Sequence, residues 1–193
     1  MNVVLKSIAE RIKFNEIEGE AFLNMLHYRE LKRKEHLLTE GKICDFVIFI
    51  VSGCIRYYYI KDGEERTGQF FFENGWFSDY QSFITETPSQ LNVQALEDCE
   101  MYIFYKPDLL KLYDDWPVFE RFGRLIAEQV IMAMMRKYEN LTNLSYEERY
   151  LKLIKERPKV VERIPLKYIA SYLNMKPESL SRIRSRLSGS KKS

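Results

Sequence analysis

The rhythm of apolar positions changes twice along the chain. Over residues 8–26 the side chains Ile8, Ile12, Ile17, Phe22, Leu23 and Leu26 keep a patchy helical spacing that breaks near Phe14 and Asn15. From Tyr28 to Tyr105 that spacing gives way to short β-prone runs at 46–51, 54–60, 67–72, 91–96 and 100–105. Turn signals separate the runs: Glu40-Gly41, Ser52-Gly53, Lys61-Asp62-Gly63 and Asn74-Gly75. Asp62-Gly63 between two aromatic runs predicts a hairpin, because glycine supplies the positive φ that such a turn requires. Several short strands at this spacing predict a small antiparallel barrel or jelly roll.

From Pro107 onward the pattern is helical. Trp116 and Pro117 introduce a segment from Val118 to about Leu144 with no proline and one glycine, Gly123. Phe122, Ile126, Gln129, Ala133, Arg136 and Asn140 follow a 4-3-4-3-4 spacing, a heptad seam that turns polar toward its end. At ~1.5 Å per residue such a helix is roughly 40 Å long, more than one barrel covers. Ile131, Met132, Met134 and Met135 leave little of its middle polar, which predicts a second face given to a partner chain. A core helix lying along the barrel satisfies the same periodicity. Ser145 with Glu148 three residues on is a capping box, predicting a helix through Ile154 that Arg157-Pro158 ends. Ile164-Pro165 opens the last unit.

Composition is that of an ordinary globular chain: 193 residues, 46% apolar and 30% charged. The aromatic residues concentrate in the strand-like region, with 16 of 27 between Tyr28 and Tyr105, in keeping with β-propensity. No apolar run exceeds six residues, the length of 46–51, against the ~20 of a membrane span, and the first residues lack the apolar stretch of a secretory signal. Cys44, Cys54 and Cys99 are an odd number without metal-like spacing, as in a reducing compartment. A cytoplasmic protein is expected. The net charge of +2 conceals an asymmetry. Residues 146–193 carry 13 Lys and Arg against 5 Asp and Glu, whereas residues 1–145 carry 17 against 23. A basic tail piece on an acidic body points toward nucleic acid, although a solvated helical face has the same composition.

The local pattern of the last unit sharpens this. Ile169, Ala170 and Leu173 form the inner face of a short helix, and Asn174 stands where the turn needs a left-handed residue. Pro177 suits the first turn of the next helix, with Glu178 near its positive end. Leu180, Ile183 and Leu187 recur on the inward side. The opposite face carries Glu178, Ser181, Arg182 and Ser185, with Ser179, Arg184 and Arg186 at its edges. Such a helix–turn–helix can place its second helix in a major groove. There Arg182 would pair with guanine and Glu178 with cytosine N4, while Ser179, Ser181, Ser185, Lys176 and Lys167 would hold backbone or phosphate. A helical hairpin with a charged exterior has the same periodicity. From Arg163 onward there are eight Lys and Arg against one Glu, which favours DNA.

These residues resemble those of the cyclic AMP receptor protein/fumarate–nitrate regulator (Crp/Fnr) family of bacterial transcription regulators, along nearly the full chain. Gly41 and residues 45–53 are similar to the family's first β-hairpin, which ends in a characteristic glycine, here Gly53. Gly75, Trp76 and Phe77, and residues 88–95, are similar to the two ends of its ligand-pocket segment. Residues 117–144 occupy the place of its dimerisation helix. Residues 164–187 are similar to its helix–turn–helix, with Glu178 and Arg182 on the recognition helix.

The resemblance implies an α+β fold: an N-terminal double-stranded β-helix (jelly-roll), cyclic-nucleotide-binding-like domain over 1–116, a long dimerisation helix over 117–144, and a C-terminal winged helix–turn–helix over 145–193. The wing is reduced to residues 188–193. It also implies a homodimer on double-stranded DNA at a pseudo-palindromic operator, with half-sites about one helical turn apart, and RNA polymerase as a partner if the protein activates. The barrel becomes a sensor for an unidentified small-molecule effector, or is empty, with pocket candidates Trp76, Phe77, Asp79, Tyr80, Phe83, Ser89 and Gln90. Each of these also serves as packing. Cyclic-nucleotide binders of the family carry a Gly-Glu pair and an Arg-Ser or Arg-Thr pair. Here those places read Asp79-Tyr80 and Ser89-Gln90, so the phosphate loses its counter-charge and cyclic AMP is disfavoured. There is no N-terminal cysteine cluster for iron–sulfur sensing and no obvious haem ligand.

Two other classes remain beside this one. A cupin-like metal-dependent enzyme needs histidines converging from strands, and the chain has only His27 and His36. A ligand-binding module without a DNA role would make the basic tail a surface helix. No catalytic motif, cofactor or metal site is expected.

Overall fold

A computed structural model describes residues 2–189. In chain order the elements are α1 (Val3–Ala9), α2 (Glu16–Asn24), β1 (His27–Leu31), β2 (His36–Leu38), β3 (Phe46–Ser52), β4 (Cys54–Lys61), β5 (Glu64–Phe72), β6 (Trp76–Phe77), α3 (Tyr80–Thr85), β7 (Asn92–Ala95) and β8 (Cys99–Tyr105). Helices follow without interruption: α4 (Lys106–Asp115), α5 (Pro117–Asn143), α6 (Tyr146–Glu156), α7 (Pro158–Arg163), α8 (Leu166–Tyr172) and α9 (Pro177–Gly189). The packing forms two compact units. Of the described residues, one holds 2–57 and 70–130, the other 58–69 and 131–189.

In the first unit the strands make two four-stranded sheets, ordered β1-β8-β3-β6 and β2-β7-β4-β5. The pairings β1/β8, β3/β8, β3/β6 and β2/β7 are antiparallel, as a jelly roll requires. The six-residue apolar run of β3 is explained by burial on both faces. Ile48 and Ile50 point into the cluster between the sheets with Leu38, Ile55, Val93, Met101 and Ile103. Phe49 points the other way, into a second cluster with Val4, Ile8, Phe22, Phe104, Leu112, Phe119 and Phe122 from α1, α2, β8, α4 and α5.

Local chemistry accounts for the joints. Asn15 caps α2 with a full capping box, its side chain accepting from the Glu18 N–H at 2.9 Å while Glu18 accepts from the Asn15 N–H at 2.6 Å. Asp62 (φ 54°) and Gly63 (φ 75°) both lie in the left-handed region at the β4–β5 turn, the geometry of a type I′ hairpin. Gly53 has φ 90°, and a Cβ there would stand 2.6 Å from Cys99 Sγ and closer still to the Asp98 carbonyl. Only glycine fits where β3 gives way to β4.

The first half of α5 belongs to this core. Phe122 is 5% exposed, and its ring lies 5.3 Å from that of Trp76. The first position of the expected heptad seam is therefore engaged within its own chain. Among the described residues no helix is long and apolar enough to cross a membrane.

In the second unit the tip of the β4–β5 hairpin packs with α6–α9 and the later turns of α5. Ser145 caps α6 by the expected capping box with Glu148, and the helix runs two residues past the expected end, to Glu156. The two bonds from Ser145 hold the Glu148 carboxyl below its ordinary pKa. Helix α7, which the sequence pattern did not indicate, fills the interval between Arg157 and Ile164.

Candidate nucleic-acid interface and effector segment

The turn between α8 and α9 is a Schellman motif. The Met175 N–H donates to the Ala170 carbonyl and the Asn174 N–H to the Ser171 carbonyl, both at 3.0 Å. Asn174 has φ 57°, and Met175 is buried beneath the turn. Helix α9 starts on the Lys176 carbonyl, which accepts from the N–H groups of Ser179 at 3.0 Å and Leu180 at 3.2 Å. Pro177 sits in the first turn, where its missing donor costs nothing.

Leu180 is 0% and Ile183 9% exposed, and Leu187 is half-buried, so the aliphatic stripe of α9 faces inward. Glu178, Ser181, Arg182 and Ser185 are all exposed, and their i, i+3, i+4, i+7 spacing puts them on one face. Ser179 is half-buried at its edge. Lys176 is exposed at the start of the helix, and Lys167 is exposed on α8 with its ammonium 4.7 Å from the Tyr168 ring centroid. Among the described residues no ion pair joins Glu178 to Arg182, and both side chains are exposed. Arg186 instead pairs with Glu147 of α6. Ser188 and Gly189 continue α9; the rest of the expected reduced wing, 190–193, lies outside the described residues.

The effector-segment residues separate. Trp76 and Phe77 are neighbours on a strand and so point to opposite faces. Trp76 packs in the helical cluster, its ring 5.0 Å from Phe49 and its indole N–H donating to Ser7 Oγ at 3.0 Å. Phe77 lies between the sheets, 5.0 Å from the Phe71 ring. Asp79 is buried and caps α3, accepting from the Ser82 N–H. Tyr80 and Gln90 are exposed, and Phe83 is buried beneath the Lys106 ammonium. Ser89 is buried, its hydroxyl accepting from the Leu91 N–H at 2.9 Å and donating to the Leu91 carbonyl at 3.4 Å.

Three polar residues went unnoticed in the sequence. Arg56 on β4 is 0% exposed, with its guanidinium on Gln94 Oε1 at 2.9 Å through Nη2. Asn92 on β7 is buried; its Oδ1 accepts from the Glu40 N–H at 3.2 Å, while its Nδ2 has no partner. Arg149 on α6 donates to the carbonyls of Leu141, Leu144 and Leu173. No periodicity argument finds such groups, because each has a partner distant in sequence: Gln94 for Arg56, Glu40 for Asn92 and Leu173 for Arg149. Among the described residues no three or more His, Cys, Asp and Glu side chains are grouped to hold a metal ion. His27 on β1 lies 3.7 Å from Asp108 on α4, and His36 stands on β2.

A jelly roll followed by helices that end in a helix–turn–helix is the architecture of Crp/Fnr regulators. Comparison with known proteins agrees. Residues 28–115 match the cyclic nucleotide-binding domain family. The c-di-GMP responsive global regulator CLP of Xanthomonas campestris superposes with a TM-score of 0.71 at 16% identity, covering 91% of this chain and 93% of that one. FixK2 of Bradyrhizobium japonicum gives a TM-score of 0.72 at 19% identity over 86% of this chain and 85% of its own. The catabolite activator protein of Thermus thermophilus gives 0.55 at 20% identity, over 92% and 85%. No curated protein matches the sequence. The resemblance read from the sequence is thus borne out in the fold: residues 28–115 match the cyclic nucleotide-binding domain family, and the chain has the fold of Crp/Fnr-family regulators.

Proposed function

We propose that the protein is a DNA-binding transcription regulator of the Crp/Fnr type. In this reading residues 1–116 form the sensor, 117–144 the dimerisation helix and 145–193 the DNA-binding part. The observation that carries it is the exposed Glu178, Ser181, Arg182 and Ser185 face of α9, set above buried Leu180 and Ile183 behind a rigid turn. A helix presented in this way offers bidentate and single donors to base edges, with Lys167 and Lys176 beside it for phosphate. Its fold neighbours include transcription regulators, and a metal-dependent enzyme would need converging ligands that the described residues do not supply.

Homodimerisation is part of the proposal. The later turns of α5 expose Ile131, Met134, Met135 and Tyr138 at i, i+3, i+4 and i+7, with Met134 66% and Tyr138 72% exposed. An apolar stripe of that kind suits the same stripe on a second copy. As effector, cyclic AMP is disfavoured, because no arginine stands at Ser89-Gln90 to meet its phosphate. Selection of binding sites from a random duplex pool tests the reading. A pseudo-palindromic consensus supports it, and enrichment of no sequence over the input pool overturns it. Calorimetry with cyclic AMP and cyclic GMP tests the effector assignment separately.

A further inference from the structure

Helices α5, α6 and α8 leave a cleft between them, and its walls are electropositive. Lys137, Arg149, Lys152 and Arg157 line it, with Glu156 the one carboxylate of the lining and the Tyr172 side chain beside them. Lys137 donates to the Gly68 carbonyl, Arg149 to three carbonyls, and Lys152 to Asn140 Oδ1 at 2.8 Å. Those acceptors are all neutral. Glu156 reaches Lys152 at only 3.9 Å. Hydrogen bonds thus hold Lys137, Arg149 and Lys152 in place on neutral acceptors, which leave their charge uncancelled. The cleft has about 50 Å³ of room, against roughly 10–15 Å³ for one water, so a group of four oxygens fits.

We propose that this cleft is a binding site for a phosphate-type oxyanion. Anions of that class match converging Lys and Arg donors in both charge and geometry. Burial and the neighbouring Arg157 push the Lys137 ammonium down to about 8, and a bound anion would offset that repulsion. The site stands apart from the exposed face of α9, none of whose residues line it.

Titration calorimetry of the full chain with inorganic phosphate and pyrophosphate tests the assignment. Saturable binding is expected, weakened roughly tenfold by Lys152→Gln, the size of one lost charge-assisted contact. Glu156→Gln is expected to tighten binding, and Lys167→Gln, outside the cleft, to leave it unchanged. Urea unfolding of each variant confirms that the fold is retained. Random duplex DNA as a competitor separates two sources of the same chemistry. Displacement of phosphate by duplex identifies the backbone of DNA as the source, and simultaneous binding of both identifies a free phosphate-bearing solute. Absence of binding by both anions overturns the proposal. So does binding that Lys152→Gln and Glu156→Gln leave unchanged.

Discussion

The hydroxyl of Ser171 accepts a hydrogen bond from the Thr67 N–H at 2.9 Å. The same hydroxyl donates to the Glu65 carbonyl at 3.2 Å, so one side chain on α8 bridges two backbone groups of β5. The Gly68 carbonyl, which accepts from Lys137, and Gln69, which accepts from Arg157, extend this line of contacts along the strand. Within the second unit the hairpin tip is thereby tied to the first helix of the helix–turn–helix. Replacing Ser171 by Ala removes both bonds at once. It is expected to cost about 1–3 kcal/mol, the usual penalty for leaving a buried amide without its acceptor. Urea unfolding reads the loss, and amide exchange places it: Thr67 should lose protection while amides of β3 and β8 keep theirs. Unchanged exchange at Thr67 would show that this bond is not formed in solution.

The stripe of Ile131, Met134, Met135 and Tyr138 predicts association without help from the helix's first turns. Those turns are engaged at home, since Phe119 and Phe122 are buried against α1, α2 and β8. Met134→Glu places a charge in the middle of the stripe and is expected to shift light scattering at micromolar concentration from dimer to monomer. Phe122→Ala should instead lower stability by about 3–5 kcal/mol through a core cavity. The two variants separate a partner face from a core face on one helix. A parent chain that is already monomeric removes the dimer from the proposal.

Lys137 predicts a pH effect of definite sign. Its pKa falls from the ordinary 10.5 to about 8 because it is buried and lies near the Arg157 charge. Below pH 8 folded and unfolded chains both hold the proton, and the full penalty of a buried ammonium is present. Between 8 and 10.5 the unfolded chain holds more protons, so the contribution of this residue to stability improves as pH rises. Cys99, raised to about 11, and Tyr113, raised to about 12, act in the opposite sense through burial. Their contributions are complete below the ordinary values of 9.0 and 10.0 and fade as pH climbs toward the raised ones. The parent profile therefore mixes both signs, and the comparison with Lys137→Met isolates the lysine. Urea midpoints of the two proteins should draw together, or cross in the parent's favour, from pH 8 to 10.5. A constant difference would place Lys137 in contact with water.

Features governed by short-range chemistry were legible in the sequence. Asp62 and Gly63, the Ser145–Glu148 box and Asn174 all appear as read, because each is a conformational demand met by one or two neighbouring residues. The barrel and the long helix were legible through periodicity. What periodicity does not carry is the identity of the surface that an apolar face meets. The spacing of Phe122, Ile126 and Ala133 fits a partner helix and a core equally, and tertiary packing claims Phe122. Trp76 and Phe77 read as pocket candidates or as packing, and a strand of two residues suffices to send them to opposite sides of the sheet. The capping role of Asp79 was hidden because α3 has only six residues, too few for a helical pattern. Arg56 was invisible for a different reason: its burial depends on Gln94, a strand neighbour 38 positions away.

Arg182 carries the sharpest expectation for function. It is exposed on α9, free of the Glu178 pairing that its spacing permits, and shares a face with Ser181 and Ser185. Arg186, two turns from the start of the same helix, is held by Glu147 and so is the less available guanidinium. Truncating Arg182 to Ala removes a group able to grip guanine at two atoms, which is expected to cost roughly 1–3 kcal/mol on the selected site. Random duplex should lose much less, because Lys167 and Lys176 remain for phosphate. The fold should be unaffected, since Leu180 and Ile183 hold the opposite face. Fluorescence anisotropy against specific and random duplexes over a range of salt distinguishes the outcomes. Equal weakening on both, with a salt slope shallower by about one, would make Arg182 a phosphate contact rather than a base reader. No change on either would mean that this face of α9 does not meet DNA.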